Sequence, residues 1–317
     1  MPDTTQYMED DVLSLTGMVI TATFTNGKTA VITNYTTTPK ENSALEKGTQ
    51  TIIVSYTKNS VTVTTSFTIE VKTTTVSWAT GSDAEIVAMV QAADNGEITL
   101  SDYWSVGDER IVSLPSISST NVGEYHSAQT VTLILLNVGG KTLTNGKECS
   151  FIVGLKDCLN EKGYMNSSDT NNGSWENSKR RKWCNNEFKT AMLSTGIGAI
   201  FKQHKNITAT TYNGTSLTTS TDWFALPAER EIFGEGYGYS GDGYANDTEA
   251  ACTDIVQFSY YTDRVSRIKT VNNSASYWWG RSPSANDSYH FCSVNSNGYK
   301  DHSFADLDYG LAPIGCI

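Results

Sequence analysis

The sequence predicts an α+β protein, with a β-sandwich at the N-terminus followed by a domain of mixed helices and antiparallel β-sheet. Three observations favour this class. Hydrophobic residues alternate with period two over residues 6–72, residues 83–94 and 183–192 show helical spacing, and apolar strand patterns return near the C-terminus. The chain has 317 residues, more than one hydrophobic core usually holds. The expected boundaries are 1–74 for the first domain, 75–101 for a linker with a short helix, and 102–317 for the second domain.

The composition limits the classes of partner. Aromatic residues make up 10% of the chain, including 7 tryptophans, so cores can form although only 38% of residues are hydrophobic. A net charge of -11 repels nucleic-acid phosphates. No apolar stretch approaches the roughly 18 residues that a membrane-spanning helix needs. We therefore expect neither nucleic-acid binding nor membrane insertion.

The first domain is predicted from β-branched segments separated by short turns. Valine, isoleucine and threonine dominate these segments, and Asn26-Gly27 is a typical hairpin turn. The predicted strands are Met18–Phe24, Thr29–Ile32, Gln50–Tyr56 and Val61–Ile69. They describe a small antiparallel sandwich, and no catalytic combination of residues occurs among them.

The second domain is predicted to open with a helix over Asp83–Asp94, which begins at a cap on Ser82 or Asp83 and ends at Asn95-Gly96. The pattern then predicts two strands, a second helix, and a strand followed by a short helix, at Arg110–Leu114, Thr130–Val138, Trp183–Met192 and Asp222–Gly234. The basic run Lys179–Lys182 is expected either as a solvated helix start or as a clamp on acidic residues.

Six cysteines are scattered without any Cys-x-x-Cys pair, and several lie inside apolar strand patterns. We expect free, buried thiols, because free cysteine packs as a small hydrophobic residue. The 4 histidines are scattered as well, whereas a zinc site needs clustered ligands. The sequence therefore predicts neither a metal site nor a cofactor.

The C-terminal residues predict a β-hairpin with its turn at Asn295-Ser296-Asn297-Gly298, between strands at Tyr289–Val294 and Tyr299–Ala305. Period two directs Phe291 and Val294 toward packed surroundings and the other side chains outward, with a bulge that breaks strict alternation.

The segment before the hairpin is interpreted as framework. Adjacent tryptophans on a strand, Trp278 and Trp279, point to opposite faces, and Arg281 either stacks on a ring or binds a carboxylate. Stacking of a sugar on Trp279 is the alternative.

The outward side chains of the hairpin combine rigid aromatic contacts with adaptable hydrogen-bonding groups, a mixture that recognition loops favour. We predict a binding face formed by Ser284–His290 and Tyr299–Asp308, flanked by the aromatic loop Gly236–Tyr244. The predicted ligand-binding residues are Gly280, Ser284, Asn286, Asp287, Tyr289, His290, Ser293, Tyr299, Asp301, His302, Phe304, Asp306, Asp308 and Tyr309. The alternative is a solvated sheet edge that binds nothing.

Two resemblances to known families add to these predictions. The pattern that begins at Tyr7, Tyr-x-x-x-Asp-x-Leu-x-Leu-Thr-Gly-x-Val-Ile-Thr-Ala-Thr-Phe-x-x-Gly, resembles bacterial immunoglobulin-like domains that act as spacers in surface and phage structural proteins. The resemblance covers nearly the whole first domain. It implies an immunoglobulin-like sandwich with a structural role.

Residues 102–317 resemble a family common in tail proteins of gut bacteriophages and prophages. The matching landmarks are Tyr103-Trp104-Ser105-Val106-Gly107-Asp108, Gly163-Tyr164-Met165-Asn166-Ser167, and parts of 175–186, 224–234, 278–283 and 310–313. The family is similar in fold to C-type lectins, and several members resemble receptor-binding proteins that retroelements diversify near the C-terminus. The resemblance implies a C-type lectin-like second domain that binds a ligand.

Retroelement diversification mutates adenines and therefore restricts which residues can appear. An AAC or AAT codon mutated at both adenines never encodes Lys, Gln, Glu, Met or Trp. From Ser282 to Ile317 only Lys300 belongs to this excluded set. The segment is compatible with diversification, and ordinary family variation is the alternative.

The sequence thus favours a non-enzymatic adhesin or phage tail receptor-binding protein. The expected partners are a bacterial cell-surface receptor, either protein or glycan, and other virion tail proteins, in a virion or on a bacterial surface; an oligomer is compatible with this function. The alternatives are a structural component without a ligand and an enzyme of the formylglycine-generating type, which shares the fold class. Catalysis is disfavoured because Glu229 and Glu231, two residues apart on one short helix, point in different directions.

Overall fold

The computed structural model describes residues 1–73, 75–119, 121–235 and 238–317. The chain divides into two compact units, Met1–Thr75 and Val76–Ile317. It is of the mixed α+β class, because 36% of the residues are in strands that pair mostly antiparallel and 16% are helical. The division falls next to residue 74, where the sequence predicts the end of the first domain.

The first unit is built from β1 to β6, which span Gln6–Met8, Ile20–Thr23, Thr29–Ile32, Thr36–Thr38, Gly48–Lys58 and Val61–Lys72. One sheet has the order β1-β6-β5-β4, and β2 pairs with β3. Alternation along β5 explains its core: Ile52 and Val54 are buried while Ile53 between them is exposed. The predicted strand positions are confirmed, each within a few residues.

We expect each unit to fold alone, because each core draws on residues of its own unit. Residues 1–75 and 76–317, expressed separately, should each show a cooperative unfolding transition. Circular dichroism and thermal denaturation of both fragments measure this, with the whole chain as the control. A fragment 76–317 that binds hydrophobic dyes and melts without cooperativity would contradict the prediction.

The second unit contains the remaining elements. Its strands β7 to β20 span Glu109–Leu114, Ile117–Ser118, Tyr125–His126, Gln129–Val138, Phe151–Leu155, His204–Ala209, Leu217–Asp222, Phe224–Ala225, Lys269–Val271, Ser274–Ser276, Trp278–Pro283, His290–Val294, Lys300–Phe304 and Ile314–Cys316. Its helices α1 to α6 span Asp83–Asp94, Ser174–Asn177, Lys179–Trp183, Lys189–Leu193, Glu229–Phe233 and Asp247–Ala250. The largest sheet has the order β14-β20-β11-β10-β7, and a second sheet has the order β17-β18-β19.

Helix α1 has the predicted bounds because its start is encoded locally. Ser82 Oγ accepts the backbone N–H of Glu85 at 3.3 Å, and Glu85 Oε2 accepts the backbone N–H of Ser82 at 2.7 Å. The helix buries Ile86 and Met89. Residues 76–101 therefore belong to the second unit and are not a free linker, since Trp78 is also fully buried in that core.

The predicted second helix is longer and is interrupted. It begins at α3, continues through a π-helical turn over Cys184–Phe188, and ends with α4. The two arginines of the basic run at its start act as a clamp on acidic residues, while Lys179 is partly exposed and Lys182 is exposed. Arg180 is fully buried on Glu124 at 2.6 Å, and Arg181 binds Asp222 at 2.6 Å.

Among the described residues, no helix combines the length and the apolar character that crossing a membrane requires.

Candidate functional site

The predicted C-terminal hairpin is confirmed and consists of β18 and β19. Its register places His290 opposite Phe304 and Cys292 opposite His302. Side chains directly opposite each other in an antiparallel pair lie on one face of the sheet, so these four share a face. Phe291 and Val294 are buried, as predicted.

The strand before the hairpin, β17, supplies the framework. Trp278 and Trp279 are both 0% exposed, and their indole N–H groups donate to the carbonyls of Arg267 at 2.9 Å and Gly163 at 2.8 Å. Burial of both rings on opposite faces means that β17 is covered on both sides. Stacking of a sugar on Trp279 is therefore wrong for this structure.

Arg281 binds a carboxylate in the interior, which is one of its two predicted roles. Its two terminal nitrogens donate to Glu231 at 2.6 and 2.9 Å, and Lys141 Nζ donates to the same carboxylate at 2.5 Å. Burial alone would raise the pKa of Glu231, but the charges of Arg281 and Lys141 outweigh burial and lower it to about 2. This buried ion cluster fixes β17 to α5.

Glu229 lies on the same short helix but in different surroundings, as its sequence position predicts. Its carboxylate accepts the backbone N–H groups of Tyr244 at 3.1 Å and Ala245 at 3.2 Å. Burial raises its pKa to about 7, although these N–H groups and the thiol of Cys292 act in the opposite direction. Glu229 thus holds the Tyr244 segment against β18 with a carboxyl that titrates near neutral pH.

Four rings form a continuous row at the open end of the hairpin. Tyr244 stacks on His302 with ring centroids 4.3 Å apart, His302 lies 4.6 Å from His290, and His290 lies 4.2 Å from Phe304. We call these four residues the ring stack. Phe304 is 45% exposed and the two imidazoles are partly exposed, so the ring stack offers an aromatic surface to a partner.

Polar groups orient the two imidazoles. The carboxylate oxygens Oδ1 and Oδ2 of Asp287 lie 2.7 and 2.9 Å from His290 Nδ1. Ser284 Oγ lies 3.1 Å from His302 Nδ1. Burial lowers the pKa of His302, and the neighbouring His290 lowers it further. The ring stack therefore favours neutral His302 at neutral pH.

A buried asparagine outside the predicted site fixes the loop that carries Asp287. Asn171 is 0% exposed, and its Nδ2 donates to the carbonyls of Asp287 at 2.8 Å and His290 at 2.7 Å. The sequence shows only a polar loop at this position, and nothing in its pattern marks one asparagine as buried.

The structure separates the predicted site residues by exposure. Those exposed to solvent are Asn286, Tyr289, Tyr299, Phe304, Asp306 and Asp308, and those partly exposed are Asp287, His290, Asp301, His302 and Tyr309. Three predictions are wrong, because Gly280, Ser284 and Ser293 are buried. A side chain at Gly280 would meet the backbone carbonyls of Pro227 at 3.2 Å and Cys292 at 3.3 Å, so its role is close packing.

Three of the predicted aromatic residues, Tyr289, Tyr299 and Tyr309, do not belong to the ring stack. Tyr299 follows the hairpin turn at the other end of β19 and carries the guanidinium of Arg264 over its ring at 5.2 Å. Tyr309 stacks on Trp279 at 4.8 Å, and its hydroxyl accepts from Ser303 Oγ at 3.0 Å. Tyr309 therefore supports the framework.

The predicted flanking loop contributes at two positions. Tyr244 belongs to the ring stack, and the hydroxyl of Tyr239 donates to Asn286 Oδ1 at 2.9 Å. Gly236 and Tyr237 of this loop lie outside the described residues. The loop thus reaches the hairpin from the side of α5.

The cysteines offer no reactive thiol at the ring stack. All six are free, and five are buried while Cys252 is partly exposed. Burial raises the pKa of Cys158 to about 12 and raises that of Cys292 well above its usual value. Within the described ranges, no group of three or more His, Cys, Asp or Glu is placed to hold a metal ion.

Comparison with known families covers the part of the chain that contains this site. Residues 151–317 match the family described as a domain of unknown function, DUF6273, which is more than half of the chain. The chain belongs to the DUF6273 family. No curated protein and no solved structure matches the chain. The DUF6273 region includes the buried ion cluster residues Glu231 and Arg281, the strand β17 and the whole ring stack.

Proposed function

We propose that the chain is a non-enzymatic ligand-binding protein and that the ring stack is the centre of its binding face. The observation that carries the proposal is the contrast, within the DUF6273 region, between fully buried framework side chains and exposed aromatic side chains. Trp278, Trp279 and Arg281 are fully buried, whereas the adjacent hairpin end exposes Tyr289 by 50% and Phe304 by 45%. Large rigid rings beside short polar side chains are the contacts that recognition surfaces favour.

Burial of charge in the framework supports a rigid display surface. Arg281, Glu231 and Lys141 are all 6% exposed or less, so the strand that precedes the hairpin is fixed by strong contacts. A pre-organised surface loses less conformational entropy when a partner binds. Variation at the exposed positions would leave these contacts intact.

For the fold, we propose an immunoglobulin-like first unit and a C-type lectin-like second unit. The first unit supports this with two small sheets, antiparallel apart from the β1–β6 pair, and a core that includes Leu13, Ile52 and Ile69. The second unit supports it with short helices beside two antiparallel sheets and a C-terminal strand that returns to the largest sheet.

For the biological setting, we propose a phage or prophage tail protein, or a bacterial surface protein, whose partner is a receptor on a bacterial cell. The support is the ordered set of sequence landmarks over residues 102–317. Diversification by a retroelement is part of the same proposal. The segment open to such change, residues 282–317, includes His290, His302 and Phe304 of the ring stack.

Binding of the fluorescently labelled chain to a panel of intact gut bacteria tests this function. The double substitution Tyr289→Ser and Phe304→Ser should weaken binding at least about tenfold. An aromatic ring that a partner buries on binding contributes roughly 1–3 kcal/mol to the affinity. The matched control is Tyr103→Ser with Tyr125→Ser, two aromatic residues of the same unit that are 48% and 61% exposed.

Both double variants should keep the thermal midpoint of the parent chain, because the replaced rings are exposed. Equal loss of binding in the Tyr103/Tyr125 control and in the Tyr289/Phe304 variant would contradict the proposal. A chain that binds no cell in the panel would favour the structural component without a ligand.

A further inference from the structure

The surroundings of the ring stack are rich in carboxylates that have no lysine or arginine partner among the described residues. In the described part of the chain, no lysine or arginine forms an ion pair with Asp169, Asp287, Asp301 or Asp306. The one ion pair among them joins Asp287 to His290 at 2.7 Å. This end of the hairpin therefore carries uncompensated negative charge.

Three other carboxylates of the second unit are each paired with an arginine. Glu124, Asp222 and Glu231 each accept from an arginine at 2.6 Å. Arginine thus offsets the cost of desolvating these three charges, whereas the buried Glu229 and Glu249 accept from backbone N–H groups and a serine hydroxyl. The ring stack departs from this arrangement.

Crowding of the carboxylates is visible at Asp169. Burial raises the pKa of Asp169, and the neighbouring Asp306 raises it further. Its Oδ1 is buried without a hydrogen-bond partner in the described residues.

Cation–π contacts occur elsewhere in the second unit but not, among the described residues, at the exposed rings of Tyr289 and Phe304. At the other end of the hairpin, the ring of Tyr299 is covered by Arg264, and elsewhere Lys189 lies over Trp223 at 5.0 Å. Within the described ranges, no such contact covers Tyr289 or Phe304, although ring faces attract ammonium and guanidinium groups.

We propose that the ring stack receives a positively charged segment of a protein partner, in which lysine or arginine side chains lie over Phe304 and pair with Asp169 and Asp306. This inference rests on the proposed binding function and names the chemistry of its partner. Charge complementarity selects this partner, because a neutral surface would desolvate the carboxylates without replacing their hydration. An anionic partner would be repelled by the face and by the net charge of -11.

The test uses the full chain and three labelled probes of similar length: a hexalysine peptide, a hexaglutamate peptide and maltohexaose. Fluorescence anisotropy should show hexalysine binding, weaker at about 200 mM salt than at about 50 mM, and no binding of the other two probes. The double substitution Asp169→Asn and Asp306→Asn should weaken hexalysine binding at least about fivefold, and Phe304→Ser about tenfold.

The matched control removes two charges elsewhere on the same unit. Asp102 and Asp254 are exposed and form no ion pair in the described residues. The double substitution Asp102→Asn and Asp254→Asn should leave hexalysine binding within about twofold of the parent chain. Equal weakening in both double variants would overturn the proposal, because attraction would then come from the overall charge.

The remaining outcomes separate this inference from the proposed function. If cells are bound in a Phe304-dependent way while hexalysine is not bound at all, the cationic partner is refuted and the binding function stands. The same conclusion follows if maltohexaose binds and Phe304→Ser abolishes its binding. If neither cells nor any probe is bound, both proposals fail.

Discussion

Replacing Arg281 with methionine should lower the free energy of unfolding of the second unit by about 3–5 kcal/mol, because it leaves a buried carboxylate without its main partner. Arg281 donates twice to Glu231 and also donates to the carbonyls of Leu226 at 3.0 Å and Ile207 at 3.2 Å. Both members of the ion pair are buried, so water cannot replace these hydrogen bonds.

Tryptophan fluorescence during denaturant unfolding measures this effect on the second unit alone, since all 7 tryptophans lie between Trp78 and Trp279. Arg264→Met is the matched control. Arg264 is exposed, and the one contact of its guanidinium within the described residues is the cation–π contact with Tyr299, so its loss should cost less than about 1 kcal/mol. Adding Glu231→Gln to Arg281→Met should recover none of the loss, because the buried ammonium of Lys141 would then lose its carboxylate partner. An Arg281→Met variant as stable as Arg264→Met would contradict the role given to the buried ion cluster.

Local sequence signals predicted the elements that local interactions determine. The start of α1 follows from Ser82 and Glu85, which are three residues apart, and the hairpin follows from its Asn/Gly turn between alternating strands. Both depend on contacts between near neighbours in the chain. The sequence therefore contained enough information to place these elements within a few residues.

Burial on the hairpin could not be predicted in the same way, because it depends on segments far away in the chain. Period two assumes one covered face and one open face. Here the Tyr244 segment, held by Glu229, covers Cys292 and stacks on His302, while the other face of β18 packs on the framework. Ser293 is buried on the same face as Phe291, although it was predicted to bind a ligand.

The same dependence on distant contacts explains which binding residues were predicted and which were missed. Tyr289, His290 and Phe304 were recognised from their residue types, which are typical of recognition surfaces. Asn171, which holds the loop of Asp287 through three backbone carbonyls, gives no such signal. Its role appears only when residues more than 100 positions apart are brought together in the fold.

Glu229 should make the stability of the second unit depend on pH in the opposite direction from the ion cluster. Its pKa rises from an ordinary value of 4.5 to about 7 in the folded chain, mainly because of burial. The folded state then binds this proton more tightly than the unfolded state. The stability contributed by Glu229 is fully present below pH 4.5 and is lost as the pH rises to about 7. The shift corresponds to about 3 kcal/mol.

Glu229→Gln keeps the shape of the side chain and removes this titration. The difference in unfolding free energy between this variant and the parent should be small near pH 4.5 and should grow to about 3 kcal/mol in favour of the variant by about pH 8. Denaturant unfolding followed by tryptophan fluorescence at several pH values measures the difference. The pKa of Glu249 is also raised by burial, but that carboxyl titrates in both proteins and cancels in the comparison. A difference that stays constant between pH 4.5 and pH 8 would show that Glu229 has an ordinary pKa, and that its hydrogen bonds to the Tyr244 segment outweigh the cost of burying its charge.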